Sequence, residues 1–242
     1  MTVETSFPAG RLDGLTSGCQ TACNWEAARE MTVASLMSQD ILNPFLSIEG
    51  RRRLQGVLKV SGAKNSALVL MTASLLTNEV VELTNVPNLT DITGMGRILS
   101  ALGVQVDHSV GSVSLNARTL SSHEPPYELV NSLRASFFCI GSLLGRLGHA
   151  RVPLPGGCRI GARPVVEHIR GLKALGAHVS VEHGVVTACV KGSSNRLTGA
   201  SIVLDCPSVG ATETLLMAAV LANGTTTVSY THLRAHETML HL

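Results

Sequence analysis

The chain of 242 residues is long enough for one large domain or two modest ones, and its 45% apolar and 15% charged residues exclude a disordered protein. Its net charge of +2 and its 3% of aromatic residues give no basis for a nucleic-acid partner. Because no apolar stretch reaches the roughly 18 residues of a membrane-spanning helix and the first residues lack the pattern of a secretory signal, we expect a cytoplasmic protein.

The N-terminal region divides into two parts by its hydrophobic pattern. Residues 1–44 show no clear period, and we expect this extension to be disordered or translated from upstream of the true start. From Phe45 the pattern sharpens, and it predicts a hairpin around Glu49 and Gly50 within residues 45–61.

Residues 62–228 carry an internal repeat that determines the predicted fold class. The first copy predicts a helix over 65–76, a strand over 80–83, a helix over 91–102 and strands over 104–106 and 113–115. The second predicts a helix over 132–147, a strand over 150–154, a helix over 164–175 and strands over 179–181 and 185–190. A third copy begins at Ile202, with a helix over 212–221 and a strand over 225–228. Each copy is βαβαββ-like and needs neighbours to cover its apolar faces, which predicts an α/β fold.

The second copy carries extra residues in a glycine-rich loop. Ser74 and Leu102 of the first copy are 28 positions apart, whereas the equivalent Ser142 and Leu175 are 33 apart. The additional residues fall in 155–161, between a strand and a helix, where binding and catalytic residues are common.

Cys158 lies in this loop between glycines. Arg159 and Arg163 would favour its thiolate and bring its pKa toward neutrality, where a general acid works best. Arg163 and the free N–H groups of a helix beginning at Pro164 would suit a phosphate. The structural alternative is a small buried cysteine in a tight turn.

Three further segments carry candidate binding residues. Lys64 follows Gly62 at a predicted helix start, as in an anion site, although it could equally be a solvated lysine. Arg134 begins a strongly apolar run, where a charge needs a ligand or a structural partner such as Glu128 or Glu167. The turn 206–212 offers backbone N–H groups and hydroxyls to a diphosphate.

In this order the segments SGAKNSAL, LRAS, LPGGCRIGARPV and SVGAT resemble the UDP-N-acetylglucosamine 1-carboxyvinyltransferase family, over 45–228. The resemblance implies an inside-out α/β barrel of βαβαββ repeats in two domains. Residues 45–61 would supply the first strands of an otherwise missing second domain. Residues 62–228 would form the repeat-built domain, truncated in the third repeat, and 229–242 an artefactual tail. We therefore expect this chain to be the N-terminal part of a longer enzyme and to be inactive alone.

The resemblance also implies a reaction: transfer of the enolpyruvyl group of phosphoenolpyruvate to the 3′-hydroxyl of UDP-N-acetylglucosamine, with phosphate released. This is the first committed step of peptidoglycan synthesis. Cys158 matches the proton donor, which also forms an adduct with phosphoenolpyruvate. The family often has Asp-Leu where this chain has Val166-Glu167, so contacts there would be main-chain ones. No metal or organic cofactor is implied. Matches to phosphoenolpyruvate contacts are Lys64, Asn65 and Arg163; matches to UDP-sugar contacts are Arg134, Arg163, Pro164, Val165, Val166, Glu167, Cys206, Pro207, Ser208 and Val209.

Three other functions would account for parts of the sequence. A non-catalytic module that only binds a nucleotide sugar would have the same repeats. An enolpyruvylshikimate-phosphate synthase would share the fold, but that family lacks the Gly-Gly-Cys loop. A cysteine hydrolase would need a dyad of Cys158 and His168, for which the sequence offers no third member.

Overall fold

The computed structural model describes residues 55–155, 165–191 and 195–229. The chain divides into two units, Met1–Val60 and Ser61–Leu242. Of the first unit only residues 55–60 are described, and they form neither helix nor strand. The turn of the predicted hairpin at Glu49 and Gly50 lies outside the described residues, and residues 55–60, which belong to its second arm, are not a strand. All elements below belong to the second unit.

The first copy of the repeat forms a three-stranded sheet with helices. Strand β3 lies between β1 and β2 and pairs antiparallel with both, so that Val81 and Val106 both face Leu115 in the register. The elements are α1 (Lys64–Ala73), a 3-10 turn (Ser74–Leu76), β1 (Val80–Thr84), α2 (Thr90–Ala101), β2 (Gln105–Ser109) and β3 (Ser112–Asn116).

The second copy has the same architecture. Its sheet has the order β4-β6-β5, again with the last strand central and both pairings antiparallel, as the sequence repeat predicts. The elements are α3 (Tyr127–Ser132), a 3-10 segment (Arg134–Phe138), α4 (Cys139–Leu147), β4 (His149–Pro153), α5 (Val166–Ala174), β5 (Ala177–Glu182) and β6 (Val185–Val190).

A third, shorter group follows along the chain. Strands β7 (Ser201–Val203) and β8 (Thr227–Ser229) pair in parallel, and α6 (Val209–Ala219) connects them. A parallel pair needs such a crossover because a tight hairpin can join only antiparallel strands.

The two copies share a Leu-Gly dipeptide, which lies at the end of α2 in the first copy and of α5 in the second. Leu102 and Leu175 are fully buried after α2 and α5. The following Gly103 and Gly176 have φ of 99° and 89°, a left-handed conformation that glycine adopts without steric cost. Both helices therefore end in the same way, at a glycine with a left-handed backbone.

Helix α4 forms the centre of the core. Every residue from Cys139 to Gly145 is buried, which explains why this helix is apolar on all sides. It packs against α6, β4 and the 3-10 turn after α1. No helix within the described ranges is both long and apolar enough to cross a membrane.

The prediction of one helix over 132–147 is wrong, because the chain breaks at Leu133. Leu133 has φ −134° and ψ 109°, which is extended backbone. The buried Ser136 hydroxyl donates to the carbonyl oxygens of Leu133 at 2.5 Å and Val130 at 3.3 Å. These bonds satisfy carbonyl groups that a continuous helix would have paired, and serine side chains commonly compete with helical hydrogen bonds in this way. Arg134 therefore begins a 3-10 segment between two helices.

Candidate functional site

Lys64 and Asn65 are the first two residues of α1, and both are exposed. The Lys64 ammonium nitrogen lies 2.5 Å from Oδ2 of Asp91, which is in the first turn of α2. The two side chains are 44% and 38% exposed, so the ion pair connects the starts of two helices at the surface. An exposed pair of this kind contributes only about 0–1 kcal/mol, and an incoming anion can displace the carboxylate from Lys64.

The glycine before this lysine is required by a close backbone contact. A Cβ atom at Gly62 would lie 1.7 Å from the carbonyl oxygen of Asn85. The segment that leads into α1 is therefore held against the residue that follows β1, and this contact fixes where Lys64 begins its helix.

Glu167 lies in the first turn of α5 and is 8% exposed. Its Oε2 accepts hydrogen bonds from Nη2 of Arg170 at 2.8 Å and from the backbone N–H of Asp205 at 2.9 Å. Burial raises the pKa of Glu167, but the hydrogen bonds from Arg170 and from the Asp205 N–H outweigh it and hold the pKa below its usual value. The carboxylate is thus charged, and it connects α5 to the turn after β7.

Arg170 makes the same connection with its own guanidinium group. Nη2 donates to the carbonyl oxygen of Val203 at 2.6 Å, and Nη1 lies 2.8 Å from Oδ1 of Asp205. The hydrogen bond to Glu167 is the largest cause of a raised pKa of Arg170, and the charges of Asp205 and Glu167 add to it. Arg170 and Asp205 were not identified from the sequence, although the spacing of Glu167 and Arg170 is that of neighbours on a helix surface.

The turn between β7 and α6 carries three of the predicted UDP-sugar contacts, Cys206, Pro207 and Ser208, and the fourth, Val209, begins α6. Ser208 caps α6: its hydroxyl oxygen accepts from the N–H of Ala211 at 3.2 Å, and its carbonyl oxygen accepts from the Thr212 hydroxyl at 2.8 Å. The cap starts the helix at Val209, three residues before the predicted start. Cys206 and Pro207 are exposed on this turn.

His168 packs between the 3-10 segment and the start of α6. Its ring meets that of Phe137 edge to face, with centroids 5.3 Å apart. A Cβ atom on Gly210 would lie 3.3 Å from its Nε2. Burial, together with the charge of Arg134, lowers the pKa of His168 to about 4, and the charge of Glu167 opposes the shift. Arg134 thus acts electrostatically on the start of α5.

The predicted UDP-sugar residues that the structure describes converge on the starts of α5 and α6. The 3-10 segment that carries Arg134 packs against α6 and also against α1, whose first residues are the two predicted phosphoenolpyruvate contacts. Cys158, Arg163 and Pro164 lie outside the described residues. Within 55–155, 165–191 and 195–229, no three His, Cys, Asp or Glu side chains are placed to hold a metal ion.

Comparison with protein-family models places this arrangement in a known class. Residues 48–241 match EPSP synthase (3-phosphoshikimate 1-carboxyvinyltransferase). The chain therefore belongs to the EPSP synthase family of enolpyruvyl transferases.

Two relatives of high sequence identity carry a more specific name. The UDP-N-acetylglucosamine 1-carboxyvinyltransferase of Parasynechococcus marenigrum (strain WH8102) is 87% identical over 198 residues, which are 82% of this chain and 46% of the relative. The protein of that name from Synechococcus sp. (strain CC9605) is 70% identical over the same shares. The motif resemblance is confirmed, and the chain spans less than half the length of these relatives.

Solved structures confirm the α/β fold. The enolpyruvyl transferase NikO from Streptomyces tendae matches 75% of this chain and 42% of its own, with a TM-score of 0.61 and 25% identity. An EPSP synthase from Acinetobacter baumannii matches 71% of this chain and 39% of its own, with a TM-score of 0.52 and 18% identity, and shows the fold alone.

Proposed function

We propose that this chain forms part of an enzyme that transfers the enolpyruvyl group of phosphoenolpyruvate to the 3′-hydroxyl of UDP-N-acetylglucosamine, releasing phosphate. The observation that carries the proposal is the convergence of Val165–Glu167 with Cys206–Val209. Glu167 is hydrogen-bonded to the residue just before Cys206, so two segments distant in sequence form one surface. The starts of α5 and α6 offer free N–H groups, which favour the phosphates of a nucleotide sugar.

The proposed phosphoenolpyruvate contacts are Lys64, Asn65 and Arg163. An ammonium group at the start of a helix attracts a phosphate or carboxylate through both its own charge and the helix dipole. Cys158 is proposed to donate the proton that the enolpyruvyl methylene carbon takes up when the sugar hydroxyl attacks. Arg134 and Arg163 would balance the negative charge of the two substrates.

The finer architecture is proposed on the same basis. The two sheets of equal strand order and the parallel β7 and β8 are the parts from which an inside-out barrel would be assembled. A cytoplasmic location fits the three cysteines of the described residues, Cys139, Cys189 and Cys206, which are all free thiols.

Binding and turnover assays with the chain test this function. Calorimetric titration with UDP-N-acetylglucosamine should give saturable binding, and shikimate 3-phosphate should give none. Binding of shikimate 3-phosphate instead would favour the activity that the matching family model names. Phosphate release from phosphoenolpyruvate and UDP-N-acetylglucosamine by the chain alone would exclude a module that only binds the nucleotide sugar.

Fosfomycin, a mimic of phosphoenolpyruvate, is expected to alkylate Cys158 in a protein that joins this chain to the remaining length of its relatives. Peptide mass spectrometry under saturating drug should find the adduct at Cys158. Cys206 is an internal control because it is exposed, and Cys139 is another because burial raises its pKa to about 12. An adduct on Cys206 and none on Cys158 would contradict the assigned role.

The substitution Asp91→Asn is expected to tighten phosphoenolpyruvate binding by up to about fivefold, because Lys64 no longer has to leave a charged partner. Titration with phosphoenolpyruvate measures the change. Asp107→Asn on β2 removes an equal charge at another exposed position and should leave the affinity unchanged. Weaker binding by the Asp91 variant would mean that the carboxylate helps to hold Lys64 in place for the ligand.

A further inference from the structure

We propose that Glu167, Arg170 and Asp205 form a clamp that positions the turn Cys206–Val209 for the nucleotide sugar. The inference rests on the function proposed above and adds a positioning role for three side chains that do not themselves touch the substrate; Glu167 would contact it through its main chain only. The clamp joins the first two turns of α5 to the residues between β7 and α6.

Two hydrogen bonds to the backbone cross this junction. The Glu167 carboxylate accepts the N–H of Asp205, and the Arg170 guanidinium donates to the carbonyl oxygen of Val203. Between them, the two side chains hold the backbone on both sides of Leu204. A backbone segment restrained at two points has little freedom to shift relative to α5.

The charges of the clamp restrain each other. Glu167 is 8% exposed, and its hydrogen bond to Arg170 keeps a charged oxygen partnered at that depth. Because Arg170 is half-exposed, the pair is only partly buried; removing Arg170 nevertheless leaves the buried Glu167 charge without its side-chain partner. The contact between Arg170 and the exposed Asp205 is the weaker arm, because solvent screens it.

The position of the clamp indicates what it serves. Asp205 immediately precedes Cys206, and Ser208 then caps α6 through the Ala211 N–H. Motion at Asp205 would move the cap and the free N–H groups at the start of α6. Since Val165–Glu167 belong to the same proposed surface, the clamp sets the distance between the two segments that are to hold one ligand.

The clamp is tested by the variants Arg170→Met and Glu167→Gln and by their combination. Each single variant is expected to raise the Kd for UDP-N-acetylglucosamine about tenfold, and the double variant no further, because residues of one network are not additive. Affinity for phosphoenolpyruvate should stay unchanged. Arg170→Lys should recover part of the loss. Arg151→Lys, which alters the surface pair between Arg151 on β4 and Glu124, should have no effect.

Amide hydrogen exchange at Asp205 provides a readout that needs no ligand. Both single variants should lower protection of the Asp205 N–H, and unchanged protection would overturn the clamp. A loss of affinity in Arg170→Met with none in Glu167→Gln would overturn it too, since Arg170 would then contact the ligand directly. If the unaltered chain binds no UDP-N-acetylglucosamine, the proposed function is wrong and the predicted change in affinity cannot occur. Amide exchange at Asp205 then still shows whether the clamp restrains the turn.

Discussion

Lowering the pH from 7 to 4 is expected to cost the chain about 3 kcal/mol of unfolding free energy through His168 alone. Burial, helped by the charge of Arg134, lowers the pKa of His168 to about 4 from a usual value of 6.5. Each unit of difference corresponds to about 1.4 kcal/mol. Between these two pKa values the histidine is protonated in the unfolded chain and neutral in the folded chain, so acidification favours unfolding. The contribution is intact above pH 6.5 and is lost as the pH falls to about 4.

Denaturant unfolding at a series of pH values measures this loss. Other groups titrate as well: the lowered pKa values of Glu167 and Glu124 remove stability in more acidic solution, and the pKa of Glu213, raised by burial, acts in the opposite direction. The difference between the unaltered chain and His168→Gln isolates the histidine. His168→Phe serves as a second variant, because its ring can keep the contact with Phe137.

His178→Gln is the matched control, since His178 is exposed on β5. Its stability curve should run parallel to that of the unaltered chain. The His168 variants should instead lose less stability on acidification. Parallel curves for the His168 variants would mean that the ring is solvated and carries its proton in the folded chain.

The substitution Gly141→Ala is expected to destabilise the chain by about 1–3 kcal/mol, as overpacking of a filled core does. A Cβ atom at this position of α4 would lie 2.4 Å from the carbonyl oxygen of Thr214 in α6. That oxygen belongs to the backbone, so no side-chain rotation relieves the contact and the two helices must separate. Thermal unfolding should show a fall of about 2–4 °C for each kcal/mol.

Two further glycines make a graded series with Gly141. At Gly145, one turn along α4, the nearest atom to an added Cβ is the carbonyl oxygen of Ala218 at 3.2 Å, so a smaller loss is expected. At Gly94 in α2 the nearest atom is 3.8 Å away, an ordinary contact, and alanine should stabilise the helix by about 0.5–1 kcal/mol. Equal stability of all three variants would mean that the backbones of α4 and α6 are not in contact.

Much of the fold could be predicted because its helices and strands depend on short sequence patterns. The dipeptides Leu102-Gly103 and Leu175-Gly176 lie at equivalent helix ends. Each pairs a buried leucine with a left-handed glycine, and this combination of residue types is visible in the sequence. The alternating strands around them were located to within a few residues. The helix over 132–147 was predicted wrongly, because the hydrophobic pattern carries no signal of the extended backbone at Leu133.

The candidate site was predicted as segments, and its connections were not. The sequence by itself determined the family, the repeats and the residue types at the starts of α1, α5 and α6, since these depend on short motifs. Only the tertiary structure paired Lys64 with Asp91, joined Glu167 and Arg170 to the turn after β7, and buried His168 beneath the start of α6. Partners 27 to 42 positions apart leave no periodic signal, because their contact arises from how the helices pack and not from their spacing in the chain.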